Sequence, residues 1–339
     1  MGFGKDVNDK FIKGTTRWYG MRQYDPRIAQ LRFFAALSVA FYHLWTLQII
    51  PLVLFRPGWL GVPLFFELSI FLLLNRLDGN PSLSHYFKRR IKRIWTLYFP
   101  AVVVVFLADK YLLGMGVTYY DLILHFAFIS FVLAPFSFQY LFWSLQLEEW
   151  MYIAIPLIHR LTDKQKFQIA VSLIFISLFY SLFIVLLPYN EFHLLYFMPP
   201  FWVGAYGWGI IAYLVQKRGY KQPRYVHYVI LGLLLGQYVY VASVIHNEFI
   251  YEFLTRFLVY NLILPAFAFL IVNPPKVLHR ATVFLGEVSY GMYLWTMLFQ
   301  ELFGAVGVLY GILAATATEF PLRRREITNR IKTAIAMVN

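Results

Sequence analysis

Arg32 and His43 stand eleven positions apart in the apolar string LRFFAALSVAFYHLW. In a helix this separation is close to three turns, so the two side chains share one face, displaced by about 16 Å along the axis. Ionisable groups inside an apolar run are costly and mark functional sites by default. An imidazole there suits general-base or proton-shuttle chemistry. The structural alternatives are an interface-anchoring arginine and a buried histidine bonded to a neighbouring helix. Glu67 lies in GWLGVPLFFELSIFLL, about 12 Å into its helix. It faces a cavity, meets a basic partner such as His43 or Arg256, or hydrogen-bonds within the bundle. The string HYFKRRIKRIWTLYF holds Arg89, Arg90 and Arg93. On a helix Arg90 and Arg93 would grip one phosphate together, or the cluster would orient the chain and contact anionic lipid. Finally, FWSLQLEEWMYIAIPLIHR carries Glu148 and Glu149. At about the depth of His43, a carboxylate would fix the imidazole tautomer, although adjacent positions point about 100° apart and only one is expected to face the cavity.

These side chains need a scaffold that holds charge in an apolar medium, and the composition supplies it. Of 339 residues, 60% are apolar and only 14% charged, with 20% aromatic. Mean hydropathy is strongly positive. Such values exclude a water-soluble globule and a disordered chain, and indicate an all-α polytopic membrane protein. Cysteine is absent, which excludes disulfides, thiolate metal sites and cysteine nucleophiles; no metal is expected. A pI near 9.7 fits basic loops facing a membrane better than nucleic acid.

Apolar stretches at 28–50, 59–77, 97–114, 142–160, 168–188, 194–215, 226–246, 253–273, 284–301 and 304–320 predict a single bundle of about ten transmembrane helices. The basic segment 1–27 lacks the apolar core of a signal peptide, and Asp6 stands where a myristoylation site wants Ser or Thr. With ten crossings and both termini cytoplasmic, all but four of the 30 lysines and arginines fall in inner segments. The exceptions are Arg56 and Lys110 in outer loops and Arg32 and Arg256 within spans. A further stretch at 121–138, broken by His125 and Pro135, would invert this bias if it crossed. It is therefore read as re-entrant or surface-lying, with its backbone buried in protein. The organisation is a basic N-terminal segment (1–27), a transmembrane domain (28–322) and a basic cytoplasmic tail (323–339). No repeat or appended soluble domain stands out.

The four groups form an axis across the bilayer, with phosphate-sized basic sites inside and imidazole and carboxylates outside. That layout suits an anionic donor whose reactive end sits on a long thin arm. From the residues alone this means a membrane enzyme or transporter.

The residues also resemble a known family, the acyltransferase-3 family of integral-membrane O-acyltransferases. The resemblance rests on Arg32 and His43 in the first helix and on the string Gly61 to Ser69. It continues through Arg89, Arg90, Arg93 and Ile94 with Tyr98 beyond, and Trp143 to Tyr152 with Pro156 beyond. Gly286 to Trp295 and a Glu319–Pro321 ending complete it. Six strings in order cover residues 28 to about 325. The resemblance implies transfer of an acyl group, often acetyl, from cytoplasmic acyl-coenzyme A to a hydroxyl of a cell-envelope glycan, exported polysaccharide or lipid-linked sugar. Arg89, Arg90, Arg93 and Arg32 would hold the coenzyme. His43, oriented by Glu148, would act as base or carry the acyl group. Glu67, Trp143, Ser144, Glu149, Tyr152, Ser289, Tyr290 and Tyr293 would support them. A multi-pass plasma-membrane location, lipid contact, and a separate extracytoplasmic partner or a homodimer are expected.

The sequence departs from the family pattern at Pro63, Ile70, Thr96 and Thr296, where an acid, a glycine, a proline and a histidine are usual. Glu67, one turn from Pro63 on a similar face, offsets the missing acid. The altered Thr296 and Pro63 positions motivate a rival reading, a non-catalytic relative serving as scaffold or translocation subunit in glycan synthesis. A secondary transporter would show related halves and broken midplane helices, and neither stands out.

Overall fold

The computed structural model describes residues 25–79, 81–133, 141–187, 195–219, 224–245, 247–276 and 279–338. The basic residues Lys5, Lys10, Lys13, Arg17, Arg22 and Lys221, and the part of 121–138 from residue 134 on, including Pro135, lie outside the described residues. Among the described residues the chain is helical throughout, without a strand.

Helix α1 (Pro26–Thr46) starts where the Asp25 carboxylate accepts from the Arg27 amide at 3.0 Å and Pro26 supplies a pre-set first turn. A 3-10 turn (Val53–Leu60) leads into α2 (Gly61–Leu77). Helix α3 (Leu83–Tyr111) is capped by Ser82. At about 43 Å it exceeds a hydrocarbon core, so its basic first turns project beyond it. Next come α4 (Tyr119–Phe126), α5 (Ser130–Leu133), α6 (Phe142–Arg160), α7 (Asp163–Ile184), α8 (Pro199–Lys217) and α9 (Arg224–Val244). Helix α10 (Glu248–Leu258) continues through a π turn (Val259–Ile263) into α11 (Leu264–Val272). The π turn ends just before Pro265, which has no amide to donate. Helices α12 (Arg280–Glu287) and α13 (Ser289–Phe303) are separated by one residue, Val288. The last helix, α14 (Gly307–Val338), kinks at Arg323 (φ −123°, ψ 17°), two residues after Pro321.

Among the described residues, five continuous helical runs are long and apolar enough to cross a bilayer: Val53–Leu77, Leu83–Tyr111, Asp163–Ile184, Phe249–Val272 and Ser289–Ile335. Of the remaining apolar stretches read from the sequence, 142–160 coincides with α6, and 28–50, 194–215 and 226–246 overlap α1, α8 and α9 in part among the described residues.

The α4–α5 segment has the properties that a re-entrant piece needs. Its eight- and four-residue helices are each far shorter than a crossing, about 12 Å for the longer. Its polar groups are met by neighbouring side chains. Gln146 accepts from Ser130 Oγ (3.0 Å) and the Phe131 amide (3.3 Å), while Tyr98 donates to the His125 carbonyl (3.2 Å). Trp150 Nε1 donates to the Phe128 carbonyl (2.9 Å). The Phe128 carbonyl, between the two short helices, is thus met by a protein donor rather than by water.

Helix α8 packs along α7 and α2, α13 along α14, and α12 crosses α1. These close crossings depend on small residues. A Cβ on Gly286 would sit 1.8 Å from the Ala29 carbonyl oxygen, and one on Gly61 would sit 2.3 Å from that of Ala35. Two of the motif glycines therefore set how closely α12 and α2 approach α1.

Candidate active site

Helix α1 carries Arg32 toward its N-terminal end, and α3 brings Arg90 and Arg93 to the same place from one face. Arg93 lies within electrostatic reach of Arg32, Arg90, Arg323 and Glu319, and Arg32 of Glu287, Glu319, Arg323 and Arg330. Arg90 is buried and Arg93 half-buried, whereas Arg89 points outward and is exposed. The three-residue spacing of Arg90 and Arg93 puts both inside the cluster, and Arg89 falls off that face.

Counter-ions are unevenly shared here. Glu287 accepts from Arg323 Nη2 (2.8 Å) and Arg330 Nη1 (2.6 Å). Glu319 accepts from Arg323 Nη1 (2.6 Å) and from the Gly291 amide (2.9 Å), a free first-turn donor of α13. Glu326 pairs with Arg323 and Arg330. Among the described residues Arg32, Arg90 and Arg93 form no ion pair. Glu287, Glu319 and Glu326 thus direct their ion pairs to Arg323 and Arg330.

Above Arg90, one stripe of α6 turns toward α2 and α3. Glu148 accepts a short hydrogen bond from Ser69 Oγ, with Tyr152 close by. Glu149 accepts from Trp95 Nε1 (3.2 Å). The Arg90 guanidinium lies 5.7 Å from the Tyr152 ring centre, and Tyr290 lies near Tyr98, Tyr152 and both acids. The sequence expects one acid to face the cavity and to steady His43. In the structure both are engaged, each on a different helix, and Glu148 is committed to Ser69 in the neighbourhood of Arg90. Positions 148, 149 and 152 share a stripe, and that stripe faces the arginines.

His43 is buried near the other end of α1, three turns from Arg32. Tyr42 meets its ring edge-on at 5.3 Å, and Gln300 of α13 donates to the Ala40 carbonyl, one turn away, at 2.8 Å. Thr296, at the family's histidine position, turns its hydroxyl back onto the Met292 carbonyl. Glu67 is fully buried, and neither carboxylate oxygen has a hydrogen bond among the described residues. Arg256, one of its expected partners, pairs instead with Glu252 at 2.7 Å.

The remaining motif residues brace the helices. Trp143 packs 4.7 Å from Trp202 and edge-on to Phe66. Ser144 and Tyr293 share a 2.6 Å hydrogen bond, and Tyr293 also donates to the Leu141 carbonyl (3.3 Å). Ser289 donates to the Gly286 carbonyl (2.8 Å).

Sequence reasoning does not single out Glu287, Arg323 and Arg330. The available signal is an acid just inside the apolar stretch 284–301, followed by Glu319 and Arg323 four residues apart. Arg323 and Arg330, read as part of a topogenic tail, instead reach back to the α12–α13 break.

Comparison with known proteins gives concordant matches. The profile of a family described as an acyltransferase domain matches residues 25–324. A protein of Acidianus two-tailed virus named "Putative acetyltransferase ORF330" is 60% identical over 321 residues, covering 95% of this chain and 96% of that protein. Staphylococcus aureus proteins of strains COL and MSSA476, each named "Putative O-acetyltransferase", are 27% identical over 330 residues. These matches cover 84% of this chain and 52% of each relative, so the chain spans about half their length. No solved structure matches the chain.

Proposed function

The chain belongs to the acyltransferase-3 family of integral-membrane O-acyltransferases, and from that premise we propose that it moves an acyl group, acetyl in the simplest case, from cytoplasmic acyl-coenzyme A to a hydroxyl of a cell-envelope glycan, polysaccharide or lipid-linked sugar. The observation that carries this reading is the trio Arg32, Arg90 and Arg93, which converge with no direct ion pair to a carboxylate among the described residues. Clustered like charges repel unless an anion joins them, and guanidinium forks match phosphate oxygens. The coenzyme phosphates would rest there. Arg323 and Arg330, neutralised by Glu287, Glu319 and Glu326, would hold the edge of the mouth.

From this anchor the thioester would extend along α1 to His43, about 16 Å away. The imidazole would take the proton of the acceptor hydroxyl as its oxygen attacks the thioester carbonyl, and the coenzyme thiolate would leave. In the ping-pong variant the imidazole itself accepts the acyl group before the acceptor arrives. Trapping an acylated enzyme without acceptor separates the two. Glu148, given its bond to Ser69, is assigned to the donor channel beside Arg90. Ten crossings of the cell membrane, with both termini cytoplasmic, complete the proposal.

The alternative, a non-catalytic scaffold or translocation subunit, is favoured by one observation, the Thr296 hydroxyl turned back onto its own helix. His43→Ala decides between them. Transfer from acetyl-coenzyme A is expected to fall at least about 100-fold while coenzyme binding persists. Full activity in that variant removes His43 from the chemistry, and absence of coenzyme binding in the wild-type chain favours the scaffold.

A further inference from the structure

A second arginine site lies at the opposite end of α1 from Arg32. Arg56, in the 3-10 turn after α1, is half-buried with its guanidinium between two rings. Its Cζ lies 3.9 Å from the Tyr251 ring centre and 5.2 Å from that of Trp45. The rings are themselves fixed. The Tyr251 and Tyr238 hydroxyls share a 3.2 Å hydrogen bond, and Trp59 Nε1 donates to Tyr238 at 2.8 Å. Tyr238, Tyr251 and Trp59 are all buried. Trp45 continues through Tyr42 (6.1 Å) to the edge of His43 (5.3 Å).

Three features separate Arg56 from an interface anchor. A guanidinium lying over an aromatic ring can keep N–H donors available, and Arg56 makes no hydrogen bond or ion pair among the described residues. The nearby acid on α10, Glu252, is taken by Arg256. Positive charge is also sparse in the expected outer loops. The other such residue, Lys110, already donates to the Val117 carbonyl at 2.9 Å.

We propose that Arg56, held between Trp45 and Tyr251, is the anion-binding residue of an acceptor subsite beside His43, and that the acceptor is an acidic sugar bearing a carboxylate or phosphate. The rings hold the guanidinium in place, and its fork suits two anionic oxygens. This deepens the acyltransferase reading and rests on it for the word acceptor.

The test uses the full chain in phosphatidylcholine nanodiscs, with methyl glucuronide, glucose 1-phosphate and methyl glucoside as probes. Binding and acetyl transfer are measured separately, and acetyl-coenzyme A binding is followed in every variant. The acidic sugars are expected to bind at least about tenfold tighter than methyl glucoside, the scale of one charge-assisted contact. Arg56→Gln should erase that preference through KM and leave acetyl-coenzyme A binding unchanged, while Arg56→Lys restores part of it. Equal binding of acidic and neutral sugars, or a preference that survives Arg56→Gln, overturns the proposal. So does an Arg56-dependent response confined to phosphatidylglycerol added to the nanodiscs, which makes the site a lipid-headgroup holder. Coenzyme binding without acidic-sugar preference sinks the subsite alone. Arg56-dependent sugar binding without coenzyme binding keeps the anion site and sinks the acyltransferase reading.

Discussion

A guanidinium trio with no direct ion pair among the described residues is the residue-scale feature on which the proposed donor site turns, and it separates three neighbours that composition treats alike. Arg90 and Arg93 face inward while Arg89 is exposed. Arg90→Gln and Arg93→Gln are therefore expected to raise the KM for acetyl-coenzyme A at least about tenfold each. Arg89→Gln should stay within about 0.5 kcal/mol of wild type, as surface substitutions do. Arg93→Lys should recover only part of the loss, since an ammonium offers no planar fork. Initial-rate kinetics on the four variants check this, and an Arg89 effect as large as that of Arg93 would contradict the assignment. The inward pair is legible in the sequence because a three-residue spacing defines a helix face whatever else surrounds it. Which carboxylate meets which base is another matter. Glu148 bonded to Ser69 depends on how α6 is rotated against α2, which no string of residues encodes locally, whereas Glu252 and Arg256, four apart on α10, form a pair that the spacing itself offers.

At the scale of elements, helices follow from apolar runs and caps, whereas their crossings follow from single small residues. Gly286 is the sharpest case. An added methyl group would overlap the Ala29 carbonyl of α1, which cannot retreat without moving the helix that carries Arg32 and His43. Gly286→Ala is expected to destabilise the chain by about 1–3 kcal/mol, read as a lowered melting temperature in detergent. On α9, Gly232→Ala meets nothing within 4 Å and should be neutral or stabilising by up to about 1 kcal/mol. Equal effects at the two sites would mean that α12 does not cross α1 this closely. The stretch 284–301 reads as one continuous span, because nothing in its hydropathy marks the break at Val288. That break exists because Glu319 and Arg323, arriving from α14, bond to the Gly291 amide and the Glu287 carbonyl. A tertiary contact overrides the local preference for helix there.

For the whole molecule, the decisive unknown is parity: whether the segment 121–138 crosses the bilayer or returns. Two independent observations favour return. Charge counting keeps the basic loops together only if it does, and the α4–α5 backbone is bonded by Gln146, Tyr98 and Trp150 as a re-entrant piece requires. Because the chain has no cysteine, single substitutions make a direct test without any prior engineering. In intact cells a membrane-impermeant maleimide should label Leu112→Cys and Tyr120→Cys, both exposed positions. Lys164→Cys, Arg218→Cys and Lys276→Cys, also exposed, should label only after permeabilisation. If the segment crosses, every helix after it inverts, and the last three positions label from outside. Inversion would do more than redraw the topology. Helix α6 with Glu148 and Glu149, and α14 with Arg323 and Arg330, would run opposite to the sense that places the α1 and α3 arginines at the cytoplasmic mouth. Yet these helices meet around one cluster in the structure. The labelling pattern therefore tests the proposed donor site as well as the fold, since Arg323, Arg330 and Glu287 can gather around Arg32 and Arg93 only with the parity that the re-entrant segment preserves.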